Sequence, residues 1–250
     1  MKSYLSSFPR RRESIYSSAR RLWTPAFAGV TVILSAALSV AATAPNWTAT
    51  VRTAPNGAFV MGNPAAKAMF VEYLSYTCSH CAEFSGESSL PIKRDYVAKG
   101  LVSVEFRNAV RDRLDFTAAL LARCGGPAKF FGNSEMLMAT QSVWLGKADA
   151  FGQANAAKME KLPINDSLKL IARGLGLDVM MKARGIAPVQ MDACLTDKVA
   201  QEKIAAMTNE AWGVRKIQGT PSFLINGNTV TAAGKWALIE PELKTALAAK

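Results

Sequence analysis

The sequence predicts an α/β core interrupted by an all-helical insertion, and three observations predict it. An apolar run near the front ends on a closely spaced cysteine pair and passes into a helical pattern. About a hundred residues of helix-forming composition follow. Strand signals then return, flanking the strongest short turn signal there is.

Lys67–Ser75 reads Lys-Ala-Met-Phe-Val-Glu-Tyr-Leu-Ser, almost continuously apolar with one acid inside, as a central strand covered on both faces does. It ends at Tyr76-Thr77, directly before Cys78, and a helix carrying Ala82, Glu83 and Phe84 follows. Pro91, lacking an amide donor, is expected to kink or divide that helix, and Gly100 to close it. Leu101–Val110 is the second strand. Leu114–Cys124 is a helix stopped by Gly125-Gly126, and Pro127 opens another that runs to about Trp144. A polar loop leads to Asp166, expected to cap a third helix. Pro188 starts a long fourth, in which Met191, Leu195 and Val199 recur every fourth residue. Beyond Gly213, Ser222–Ile225 and Asn228–Thr231 flank Asn226-Gly227 as a hairpin. A last helix, entered at Pro241, sets Leu243 and Leu247 on one face. The domain boundaries that follow are 45–112 and 213–250 for the two parts of the α/β domain and 113–212 for the helical insertion.

Residues 1–44 stand apart. They hold six basic residues against one acid, and removing them lowers the net charge from +11 to +6. The remaining charge is scattered without a basic stripe, which points away from nucleic acid. No charged side chain lies between Arg21 and Arg52, and Phe27–Ala44 is an apolar, small-residue run behind an arginine pair. That is the layout of a secretory signal peptide, with cleavage expected after Ala41 or Ala44 and an uncleaved membrane anchor as the lesser alternative. Residues 7–31 resemble a translated intergenic repeat of bacterial genomes, so the true start is expected downstream of Met1, with 1–29 a mis-assigned beginning.

Cys78 and Cys81 are three residues apart at a strand-to-helix junction, which puts both side chains on one face of the first helical turn, within reach of a disulfide. Cys78 would meet the unpaired N–H groups and the positive end of the helix dipole, both of which favour a thiolate. His80, the chain's only histidine, lies between the cysteines and offers the same sulfur a donor or a positive charge. Zinc is the rival use of such a pair, but its other half is missing, since Cys124 and Cys194 are isolated; no metal and no cofactor are expected. A carboxylate inside an apolar strand, Glu72, needs a partner or a raised pKa if buried, and is ordinary if the strand end is wet. In Gly219-Thr220-Pro221-Ser222-Phe223 a cis proline would start the strand and leave backbone free for an extended peptide. Cys124 and Cys194, in an exported chain, are expected to form a structural disulfide, two buried thiols being the alternative.

The stretch Val71-Glu72-Tyr73-Leu74-Ser75-Tyr76-Thr77-Cys78-Ser79-His80-Cys81-Ala82-Glu83-Phe84, followed far downstream by Gly-Thr-Pro-Ser-Phe-Leu-Ile-Asn-Gly, resembles the DsbA-like branch of the thioredoxin superfamily over about residues 55–250. The resemblance implies a thioredoxin-like fold, a nucleophile at Cys78, a resolving cysteine at Cys81, a cis Thr220-Pro221 bond facing the disulfide where substrate binds, and a proton relay at Glu72. The family often has Pro where Ser79 stands, and that residue tunes the potential, so the strength of oxidation stays open. The function expected is an exported, monomeric thiol–disulfide oxidoreductase that donates its Cys78–Cys81 disulfide to reduced exported proteins and is reoxidised by a quinone-linked membrane partner. The alternatives are an isomerase or reductase, and a noncatalytic module using the two thiols as metal ligands. Isomerases of the superfamily typically carry an added N-terminal dimerisation domain, and only about twenty residues separate the expected cleavage site from the first strand.

Overall fold

A computed structural model describes residues 45–249 apart from Ala233; the expected leader, its cleavage at Ala41 or Ala44 and the downstream start lie outside these residues. Among them, six strands make one mixed sheet in the order β1 (Val51–Thr53), β2 (Phe59–Met61), β4 (Val102–Asn108), β3 (Ala68–Leu74), β5 (Ser222–Ile225) and β6 (Asn228–Val230). β3 and β4 are parallel, pairing Ala68 with Val102 through Leu74 with Asn108, and β3 and β5 are antiparallel, pairing Phe70 with Ile225. The apolar strand read from sequence is therefore interior to the sheet. Its alternation sends Phe70 and Leu74 into the larger core and Val71 and Tyr73 into a smaller one on the opposite face. Asn226 and Gly227 both have positive φ, 51° and 84°, the backbone that an Asn-Gly hairpin favours.

The helices depart from expectation in instructive ways. α1 (Ser79–Pro91) is not broken at Pro91 but continues as a π-helical segment, Ile92–Val97, the wider turn beginning where the proline's missing amide interrupts the α ladder. Gly100, at φ 69°, ends it. α2 (Arg113–Ala122) is capped by Asp112, which accepts the Asp115 N–H at 2.8 Å. The helix expected from Pro127 to Trp144 is two, α3 (Pro127–Ala139) and α4 (Gln141–Leu145), parted at Thr140. The expected polar loop is α5 (Ala148–Lys161), whose one fully buried side chain, Phe151, gives no apolar period to read.

α6 (Ile164–Gly174) starts after Pro163, so Asp166 sits in its first turn and does not cap it. α7 (Leu177–Ala183) had no sequence signal strong enough to separate it. The long helix from Pro188 is divided into α8 (Pro188–Thr196) and α9 (Lys198–Asn209) by Asp197, whose carboxylate accepts the Ala200 N–H at 3.1 Å. The break resets the helical phase, so Met191 and Leu195 are buried while Val199 is 65% exposed. α9 runs into a second π-helical segment, Glu210–Val214. α10 (Trp236–Ala248) starts five residues before Pro241, because Trp236 anchors its first turn in the core.

Phe84 of α1 and Phe223 of β5 lie 4.5 Å apart between ring centroids, with Phe70 and Trp236 around them. Aromatic contacts of this kind add about 0.5–1.5 kcal/mol each beyond burial. They fix the start of α1 against β3 and β5. In the helical segment between β4 and β5, Cys124 and Cys194 are joined by a disulfide with Cα atoms 5.7 Å apart and a sequence separation of 70. In the chain-entropy model a loop of that length is worth about 4 kcal/mol.

Candidate dithiol site

β3 delivers the chain into the turn Ser75–Cys78, and α1 starts immediately after it. Cys78 is the N-cap residue of α1, in extended backbone, with no side chain capping the helix. The first-turn N–H groups of a helix have no intrahelical acceptor and are open to a neighbouring sulfur. The Cys78 carbonyl accepts from the N–H groups of Cys81 and Ala82 at 3.1 and 3.2 Å, which closes the first turn and sets both cysteines on one face.

The turn is clamped by side chains from the helical segment. Asp115 of α2, fully buried, accepts the Tyr76 N–H at 2.7 Å and the Arg111 N–H at 3.0 Å, and burial pushes its carboxyl up to about 7. Asp112 accepts the Thr77 hydroxyl at 2.9 Å. Gln141 of α4 donates to the carbonyls of Tyr76 and Cys78 at 2.8 and 2.9 Å, and the Tyr76 hydroxyl donates to Ser134 of α3 at 2.9 Å. Asp112 is at the surface and the others are buried, and these polar groups satisfy one another, so the backbone under Cys78 is held in place. None of the four clamping residues stood out in the sequence. For Asp115, Ser134 and Gln141 the only signal is a polar residue on the buried side of a helix, which becomes legible once the helix's phase is known.

Cys78 and Cys81 are both buried and both free thiols. The Cys78 thiol lies 3.0 Å from the carbonyl oxygen of Thr220, and the Thr220–Pro221 peptide bond at the entrance to β5 is cis. Hydrogen bonding from the Cys81 thiol, aided by Thr220 and by the backbone N–H groups of Cys81 and His80, outweighs burial and lowers the Cys78 thiol to about 5. Cys81 moves the other way. Burial, its hydrogen bond to Cys78 and the Glu72 carboxyl push its thiol far above the ordinary range. One sulfur is thus a ready thiolate and the other a retained thiol.

Glu72, on β3, is 3% exposed, and burial together with the charge on Cys78 pushes its carboxyl up to about 8. It lines a cavity of about 20 Å³ with Ser88, Ile92 and Phe131, a wall of which is the Lys93–Glu135 ion pair. That volume admits one water. His80 is exposed, and its imidazole makes no hydrogen bond among the described residues; its backbone N–H is what faces the sulfur. The structure therefore gathers Cys78, Cys81, Glu72, Thr220 and Pro221 at one end of β3 and β5. Cys124 and Cys194 are spent in their own bond, remote in the chain from the dithiol.

A family model described as thioredoxin matches residues 54–244. A relative from Rickettsia bellii, provisionally named a protein-disulfide oxidoreductase, is 28% identical over 193 residues, covering 74% of this chain and 66% of its own. One from Rickettsia typhi with the same provisional name is 28% identical over 172 residues, covering 69% and 56%. The chain thus spans about half to two thirds of the length of these curated relatives. Among solved structures, a protein-disulfide isomerase from Novosphingobium aromaticivorans superposes with TM-score 0.71 at 34% identity, covering 76% of this chain and 97% of that one. Wolbachia pipientis alpha-DsbA1 superposes with TM-score 0.61 at 21% identity, covering 78% and 92%, and shares the fold.

Proposed function

This chain belongs to the thioredoxin family, and from that premise we propose that it is a DsbA-like protein thiol–disulfide oxidoreductase working as a disulfide donor. The observation that carries the reading is the asymmetry of the pair: a Cys78 thiol lowered to about 5 beside a Cys81 thiol that burial holds protonated. Each unit by which a thiol pKa falls below ambient pH stabilises the thiolate by about 1.4 kcal/mol, equivalent to about 30 mV toward a stronger oxidant.

In the oxidised protein a substrate thiolate attacks the Cys78 sulfur, a mixed disulfide forms, and the Cys78–Cys81 bond breaks with its electron pair leaving on Cys81. Glu72, protonated near neutrality, supplies a proton to the Cys81 thiolate and regains one from solvent through the small cavity beside it. A second substrate thiolate then attacks the substrate's own sulfur in the mixed disulfide and expels Cys78 as a thiolate. Two substrate thiols become one disulfide, Cys81 keeps one proton, and the other goes to solvent. The cis Thr220–Pro221 edge holds the substrate backbone beside Cys78. His80 contributes through its backbone N–H. The protein acts as a monomer on reduced proteins outside the cytoplasm, reached by a signal peptide cleaved after Ala41 or Ala44, and a quinone-linked membrane partner reoxidises it.

The name of the Novosphingobium relative favours a second reading, disulfide isomerisation. Equilibration with glutathione buffers tests both. A donor stays reduced until the buffer is strongly oxidising, with a potential nearer −120 mV; an isomerase titrates near −180 mV and a reductase near −270 mV, where values about these last two would overturn the donor reading.

A further inference from the structure

Past the end of β4, with rim residues bonded to Thr77 in the turn before Cys78, lies an open hollow of about 770 Å³ to which the chemistry above assigns no role. Its walls are Val110, Phe116 and Trp212, and its rim carries Arg111 and Arg113. The polar groups beside these walls are paired, the Trp212 indole N–H donating to the Val110 carbonyl at 3.2 Å and the Val110 N–H to the Thr208 hydroxyl at 3.2 Å, while Asn209 is exposed at the edge. What faces the opening is therefore half-buried aromatic and aliphatic surface. The rim differs. Arg111 and Arg113 are exposed and form no ion pair among the described residues. Both oxygens of Asp112, which stands between them, are occupied, by the Asp115 N–H and by the Thr77 hydroxyl. The hollow is joined to the nucleophile's own turn, since the Arg111 guanidinium also reaches the Thr77 carbonyl at 3.5 Å, one residue before Cys78.

We infer that this hollow is a docking subsite for an extended segment of the protein substrate, one that carries an apolar side chain and, next to it, Asp or Glu close in sequence to the reacting cysteine. The inference rests on the disulfide-donor reading and adds to it a substrate class. The apolar side chain fills the hollow between Phe116 and Trp212, and the carboxylate pairs with Arg111 and Arg113. A lysine-bearing segment meets two guanidinium groups of like charge and is disfavoured. Charges of this exposed kind act on encounter rate and selectivity more than on tight binding, and are screened by salt.

The test compares oxidation of two dithiol peptides of equal length, one with Leu and two Glu beside a cysteine and one with Leu and two Lys, by the full oxidised protein at low and high salt. The wild type is expected to prefer the acidic peptide by about fivefold at low salt, the range of one or two exposed ion pairs, and to lose most of that preference at high salt. Arg113→Glu is expected to reverse the preference. Ala205→Phe, at the exposed rim of the hollow, is expected to raise the KM for the acidic peptide and not for its Leu→Gly form. Equal rates for the two peptides, or a preference that Arg113→Glu leaves unchanged, would overturn the subsite. Concentration-dependent self-association abolished by Arg113→Glu would assign the hollow to a second copy and overturn it too. A wild type that oxidises neither peptide nor a small dithiol defeats the donor reading and this inference with it, and so is told apart from failure of the subsite alone.

Discussion

The molecule holds two cysteine pairs, and they have been put to opposite uses by where the chain places them. Cys124, in the turn after α2, and Cys194, in α8, lie far apart in sequence, close a loop across the helical segment, and are bonded. Cys78 and Cys81 share a single helical turn, close almost no loop, and differ from each other in ionisation far more than two thiols in water would. A disulfide's contribution to stability grows with the loop it closes. A disulfide's readiness to exchange grows with the stability of the thiolate it releases. The long-loop pair is built for the first property and the helix-start pair for the second.

Cys78→Ser breaks this contrast most completely. Disulfide transfer should fall to background, whereas Cys81→Ser should accumulate mixed disulfides with substrate, both visible on nonreducing gels; full turnover by Cys81→Ser would reverse the assigned roles. Removing the other pair, as Cys124→Ala with Cys194→Ala, should cost stability and leave transfer by Cys78 in place. Urea denaturation is expected to show a loss of about 4 kcal/mol, and an unchanged midpoint would mean the bond constrains nothing in the unfolded chain.

Smaller effects sharpen the contrast within the active pair. Glu72 has a raised pKa in the folded state, so folding favours its neutral form: its contribution is present below the ordinary carboxyl range and is lost as pH rises through about 8. Glu72→Gln should therefore stabilise the reduced protein above pH 8. It should also slow transfer near neutrality by about tenfold, a modest share of what a positioned proton donor supplies. Stability curves at two pH values and stopped-flow oxidation of a dithiol peptide read the two effects separately. His80→Ala is expected to change least, raising the Cys78 pKa by less than about one unit, because the backbone N–H that faces the sulfur survives the substitution. Alkylation of Cys78 followed against pH checks it.

The sequence made the centre of the sheet legible, because Ala68–Leu74 is covered on both faces and has to be apolar throughout, and it made the β5–β6 hairpin legible, because Asn226-Gly227 supplies two positive φ angles cheaply. Glu72 stood out for the same reason as its strand, as the one residue that did not belong there. β1 and β2 are three residues each and too short to show a period. α5 shows no apolar stripe because its apolar residues are mostly alanines and only Phe151 is buried. The clamp on the dithiol was invisible for a different reason: Asp115, Ser134 and Gln141 are ordinary polar residues until three separate helices bring them under one turn. His80 is the opposite case, a residue conspicuous in the sequence whose side chain is exposed while its backbone N–H faces the Cys78 sulfur.

The most direct measurement is the thiolate absorbance of the reduced protein followed against pH, with Cys78→Ser as the baseline. The account predicts a single thiolate appearing with a midpoint near pH 5 and the second thiol silent up to strongly alkaline pH. The depressed pKa would then favour the folded reduced form above the ordinary thiol range and lose that advantage as pH falls through about 5. A midpoint near 8.5, where an unperturbed cysteine titrates, would contradict it.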